Sequence, residues 1–171
     1  MKHSPTSDFR AADVIAPSAS PEAYLRQLHP EGHKGRPELF ALIGDQPLQI
    51  EKDFEETLFH LPSWLDQQSF VSLNRFFGRR SIASRAQLNA LYVDLDFHTT
   101  AEWRGRTPSQ VQAAVLWHLI AAGIPEPSVM LHTGRGLAAI WLVRPVPRKA
   151  LERWQVAMQC LAGLLARFGA D

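Results

Sequence analysis

Two carboxylates, Asp94 and Asp96, stand two residues apart in the apolar stretch Leu91-Tyr-Val-Asp-Leu-Asp-Phe97. On a strand, residues i and i+2 share a face. Leu91, Val93, Leu95 and Phe97 then point into one layer of core, and Tyr92, Asp94, Asp96 and His98 share the other face. Two anions side by side at the end of a buried strand are costly unless a cation stands between them. Hard oxygen donors suit Mg²⁺ or Mn²⁺, so the chemistry indicated is metal-dependent work on phosphates. The plainer alternative is a pair of carboxylates that cap a turn.

A second set of residues, His132-Thr-Gly-Arg-Gly-Leu137, separates two short apolar runs. Its glycines allow close approach of the backbone to a ligand, and Arg135 between them suits phosphate oxygens. A tight turn with an exposed arginine is the plainer alternative. Charge distribution adds a third feature. No acid occurs between Asp66 and Asp94, where Arg75, Arg79, Arg80 and Arg85 fall. A basic wall leading into a carboxylate strand suits a polyanionic substrate.

The elements that must position these residues follow from periodicity and punctuation. Pro21 to Leu28 reads as a short helix, and Glu38 to Ile43 as a strand ended by Gly44-Asp45. Phe54 to Trp64 reads as a helix until Pro62 interferes. Ser69 to Phe76 reads as one strand, and Asn89 to Phe97 is the carboxylate strand. Thr107, Pro108 and Gln110 spell a capping box, opening a helix whose apolar face is Val111, Ala114, Val115, His118 and Leu119, with Gly123 as its stop. His118 is expected as a packed core histidine. Val129–His132 and Leu137–Val143 form a hairpin. Leu151, Trp154, Met158, Leu161, Leu165 and Phe168 mark a long amphipathic helix closed by Gly169. The expected class is α+β, with a mainly antiparallel sheet packed with helices.

Length and composition bound the rest. The chain has 171 residues and a formal net charge of +1, consistent with a single domain. Residues 1–20, rich in Ser, Pro and Ala, are expected as a disordered lead-in, and 21–171 as the ordered core. A lone cysteine, Cys160, excludes an internal disulfide and suits a reducing cytoplasm. No run is long enough to span a bilayer, so no membrane association is expected.

Phe70-Val-Ser-Leu-Asn74, the arginine-rich loop, Gln87 through Asp96, Thr133-Gly-Arg-Gly136 and Trp141-Leu-Val143 together resemble the archaeo-eukaryotic primases. The resemblance runs from about residue 69 to 171, and is strongest to the branch carried by plasmids, phages and integrated mobile elements. It implies a primase or primase-polymerase core with an RNA-recognition-like fold, acting on a DNA template and nucleoside triphosphates with Mg²⁺ or Mn²⁺, alongside a helicase or replication initiator. Asp94 and Asp96 match the family's metal-binding Asp-x-Asp. Thr133, Gly134, Arg135 and Gly136 match its second motif, at the incoming nucleotide. The resemblance also makes Arg75, Arg79, Arg80 and Arg85 candidates for template or nucleotide phosphates, and Asn74 a candidate for a sugar or base.

Two positions depart from the family. Its second motif usually ends in a histidine where this chain has Ala138, with His132 lying upstream. Its third motif is an acid beyond the long helix; either Asp171 opens that motif or the third acid is missing, and in both cases the chain reads as the front part of a longer polypeptide, inactive by itself. The alternatives are a catalytically inactive primase-like nucleic-acid-binding domain, and two other Asp-x-Asp enzymes, a phosphatase and a glycosyltransferase. The phosphatase pattern expects Gly-Thr directly after the second Asp, where Phe97-His98 stand. The glycosyltransferase pattern expects leading βαβ units that the sequence lacks.

Overall fold

The computed structural model describes residues 20–43, 46–50, 53–65 and 69–171, with only the backbone of 42, 43 and 46–50. The expected lead-in and the Gly44-Asp45 turn lie outside the described residues. The chain folds as α+β, with helices packed on two antiparallel sheets.

Helix α1, Pro21–Leu28, starts where the Ser20 side chain accepts the Ala23 N–H, with proline in the first turn. Strand β1, Leu39–Ile43, pairs with β2, Gln46–Ile50, and with β3, Ser69–Val71, in the order β2-β1-β3. Strand β2 escapes the sequence reading because Pro47 argues against a strand; as an edge strand it tolerates the missing N–H. Helix α2, Phe54–Leu65, runs through Pro62 instead of stopping before it. Pro62 sits on the exposed side of the helix, while Thr57, Leu58 and Leu61 are buried. Burial against Leu25 of α1 outweighs one lost backbone hydrogen bond.

The larger sheet has the order β4-β5-β7-β6, all antiparallel. Its strands are β4, Arg75–Phe76, β5, Arg85–Leu95, β6, Val129–His132, and β7, Leu137–Pro147. The single strand expected over Ser69–Phe76 is therefore two strands in two sheets. The break is made by side chains that take over backbone partners. The Ser72 hydroxyl accepts the Glu38 N–H and donates to the Asn74 carbonyl, while Asn74 Oδ1 accepts the Asn89 N–H.

One face of this sheet carries Val93, Leu95, Leu137, Ala139 and Trp141 against Val111, Val115 and Leu119 of α3, Pro108–Ala121, and against Leu161 and Leu165 of α4, Leu151–Leu165. The capping box on α3 forms as read from Thr107 and Gln110. His118 packs on the Phe168 ring and bonds the Leu164 carbonyl. The other face carries Ala90, Tyr92, Ile140 and Leu142 against Leu28 and Tyr24 of α1. Beyond β4 the edge of β5 is covered by α4: the Trp154 indole N–H donates to the Ala90 carbonyl, and the Met158 sulfur accepts the Tyr92 N–H. Among the described residues, no helix is long and apolar enough to cross a membrane.

Candidate functional site

The carboxylates lie where β5 ends. Asp94 is the strand's second-last residue, and Asp96 follows the strand to open a 3₁₀ turn over Phe97–Thr99. Both are exposed, while their neighbours Val93, Leu95 and Phe97 are buried. The alternation read from the sequence therefore carries through to Phe97. Register pairs Asp94 with Ala138, and Ala138 with Leu131. Directly opposed residues share a face, so these three continue the face that α1 covers further along, with Asp94 and Leu131 exposed and Ala138 buried between them.

The Thr133–Gly136 hairpin turn lies beside them. The Thr133 hydroxyl accepts the Gly136 N–H, and the Thr133 N–H donates to the Gly136 carbonyl. Two of the turn's four N–H groups are thus consumed internally, and those of Gly134 and Arg135 remain for a ligand. Gly136 is pressed on the strand end: a Cβ there would lie 2.5 Å from the Leu95 carbonyl oxygen and 3.3 Å from Asp96 Oδ1. His98 ties the two motifs together, its Nδ1 bonding the Arg135 carbonyl at 2.9 Å. Sequence reasoning put His98 on this face and gave it no role, because the contact depends on the hairpin folding back.

The chain's last residues complete the cluster. Gly169 adopts φ +78 and its carbonyl accepts the Asp96 N–H, while Ala170 forms an antiparallel bridge with Leu95. A side chain at Gly169 would collide with the Asp96 backbone. This pairing brings Asp171 to the strand end. Asp94 is held above the ordinary carboxylate range, first by partial desolvation, then by the charges of Asp171 and Asp96. Among the described residues, no three His, Cys, Asp or Glu side chains are grouped tightly enough to hold an ion unaided. The donor set nevertheless fits a magnesium-type ion, which takes one or two carboxylates and completes its shell with water and substrate phosphates. A cation would relieve the repulsion that raises Asp94.

Other expected residues go elsewhere. His132 shares its face with Leu137 and Leu95 and bonds Gln112 of α3, so it lies across the sheet from Asp94 and cannot replace a histidine at Ala138. Arg75 is buried and donates to the carbonyls of His29, Pro30 and His33. Asn74 is buried in the same polar network. Arg85 lies over the Trp154 ring. Arg79 and Arg80 are exposed but lie off the other end of β5; nine residues at ~3.3 Å each put the carboxylates about 30 Å away. The basic wall expected beside the carboxylates is therefore not there.

The chain is similar to a replication protein. It is 34% identical over 107 residues, 62% of its length, to one from Clostridium perfringens, and it spans only 25% of that protein. Among solved structures it is similar to the AEP domain of the cyanophage S-2L primase-polymerase, with a TM-score of 0.48 and 19% identity over 80% of this chain and 66% of that one. No protein-family model matches the chain.

Proposed function

We propose that this chain is the core of a primase or primase-polymerase that transfers nucleotides on a DNA template during replication of a plasmid, phage or other mobile element. One observation carries the reading: Asp94 and Asp96 stand where β5 ends, against the Thr133–Gly136 hairpin, and the bridge of Ala170 to Leu95 brings Asp171 to the same strand end. The likeness to a replication protein supports it.

Asp94 and Asp96, with Asp171 as third carboxylate, would hold Mg²⁺ or Mn²⁺. When bound, such an ion supplies positive charge to the departing pyrophosphate and lowers the pKa of the attacking hydroxyl. The residues' own part is positioning. The free N–H groups of Gly134 and Arg135 and the exposed Arg135 guanidinium receive the triphosphate oxygens. His98 fixes the turn that carries them through its bond to the Arg135 carbonyl. Ala138, directly opposite Asp94, supplies no side-chain donor at that point.

Ala138 also favours a second reading, a primase-like domain that binds nucleic acid without catalysis. Metal titration and nucleotide incorporation separate the two. Under the first reading, Asp94→Asn or Asp96→Asn abolishes Mn²⁺ binding in calorimetry and nucleotide addition by the longer protein, with little loss of stability. Mn²⁺ affinity unchanged in both variants would make these carboxylates turn caps. Intact Mn²⁺ binding without nucleotide addition by the longer wild-type protein favours the inactive domain.

A further inference from the structure

The smaller sheet and the loop after β4 carry a surface that the carboxylate site does not use. Phe40 and Phe70 are cross-strand partners on the outer face of β1 and β3, where Leu39 and Ala41 take the buried side. Phe70 is 59% exposed. The Arg80 guanidinium lies over the Phe40 ring, 5.6 Å from its centroid, which ties the loop of residues 77–84 to that sheet face. The loop is held in shape by its own hydroxyls: Ser81 and Ser84 bond each other, and the Ser84 hydroxyl bonds the Arg79 carbonyl. So braced, it presents Phe77, 66% exposed, and Ile82, 61% exposed, beside Arg79 and Arg80. A shallow recess of about 290 Å³ opens at Phe77, lined also by Gly35, Arg36, Phe76 and Gly78.

We propose that this surface is a platform for single-stranded nucleic acid, with bases stacked on Phe70 and Phe77 and phosphates met by Arg79 and Arg80. Phe70 and Phe77 leave more than half of their surface to solvent, and every base offers a face to stack on such rings. The charge pattern selects the occupant. Residues 67–93 contain arginines and no acid, which suits a polyanion that supplies both rings and phosphates. The choice of occupant rests on the replication reading above. The platform lies about 30 Å from the carboxylates, by the strand repeat, so it meets a stretch of strand away from the base that is being copied.

The test is fluorescence anisotropy with a labelled oligothymidylate of about 20 nucleotides, longer than common single-strand site sizes, in buffer with chelator. Wild type, Phe70→Leu, Phe77→Leu, Arg80→Gln and Asp94→Asn are compared, with circular dichroism melts to confirm folding. Both leucine variants keep an apolar side chain at an exposed position and remove the ring. Each should weaken binding about 5- to 150-fold, the equivalent of one lost base–aromatic stack. Arg80→Gln should lower the slope of log affinity against log salt by about 0.7, and Asp94→Asn should bind as wild type does. Wild type that ignores the oligonucleotide overturns the proposal, and so does unchanged affinity in both leucine variants. Loss of binding in Asp94→Asn alone overturns it too, by moving the nucleic acid to the carboxylate end. No nucleotide is added in this assay, so failure of the catalytic reading and failure of the platform are seen separately.

Discussion

The closest approach in the candidate site is at Gly136, and it supports a quantitative prediction. The backbone of Gly136 lies outside the left-handed region, so replacing it with alanine introduces no dihedral strain. The cost is one of contact. The added Cβ would sit 2.5 Å from the Leu95 oxygen, about 0.8 Å inside the ~3.3 Å lower limit of ordinary carbon–oxygen contacts. The oxygen cannot simply retreat, because Leu95 is paired with Leu137 on one side and bridged to Ala170 on the other. The hairpin must move instead, away from Asp96. Overpacking of this kind costs about 1–3 kcal/mol, and for a chain of this size each kcal/mol lowers Tm by about 2–4 °C. Gly136→Ala should therefore melt about 2–12 °C lower, and it should weaken Mn²⁺ binding in calorimetry. Gly134→Ala is the control. Gly134 has φ +91 and open space around it, so alanine there costs about 1–2 kcal/mol of backbone strain without shifting the strand end, and Mn²⁺ affinity should hold. A Gly136→Ala protein that matches wild type in both melting and Mn²⁺ affinity would show that the hairpin does not bear on the carboxylates.

Two further predictions concern histidines. His29 is fully buried, bonded to the Ser72 carbonyl and to Asn89, and its pKa is pushed down to about 3, first by burial and then by the Arg75 charge. Its folded-state value lies below the unfolded one, so the stability it contributes is complete above pH ~6.5 and is lost as pH falls toward 3, a matter of a few kcal/mol at ~1.4 per pKa unit. Urea unfolding across that window should show the loss, and His29→Gln should flatten the curve; an unchanged slope in the variant would sink the assignment. His98→Ala removes the bond to the Arg135 carbonyl, worth about 0.5–1.5 kcal/mol. Amide exchange at Thr133 and Gly136, whose N–H groups are bonded within the turn, should accelerate, and the apparent nucleotide KM of an active longer protein should rise while Mn²⁺ affinity stays; unaltered exchange would mean that His98 does not hold the turn.

Local signals were the legible part of this chain. The capping box of α3, the alternation through Leu95 and the glycine turn between β6 and β7 all depend on neighbours in sequence, and each formed where its residues indicated. Side chains that replace backbone partners were not legible: Ser72 and Asn74 split an apolar run between two sheets. Nor were long-range placements. Nothing local to Arg75 says that four carbonyls surround it, and nothing near Arg79 says that β5 carries it away from Asp94. Asp171 reaches the carboxylates only because Ala170 pairs with Leu95. His132 was decidable in principle, since hairpin register with an even or odd offset fixes the face, but the turn length that sets the register had to be seen.

The cover over β5 has a consequence for how the chain matures. Between the end of its pairing with β4 and the bridge at Leu95, this strand's outer edge is closed by a helix rather than by a strand, through Trp154 and Met158. Those residues are made more than 50 positions after the edge they close. Until α4 docks, the central strand exposes unpaired donors and acceptors beside Leu91 and Val93, a surface on which a second nascent chain can add as a strand. Self-association of incompletely folded chains should therefore begin at β5, and α4 works during synthesis as the element that keeps one copy from templating the next.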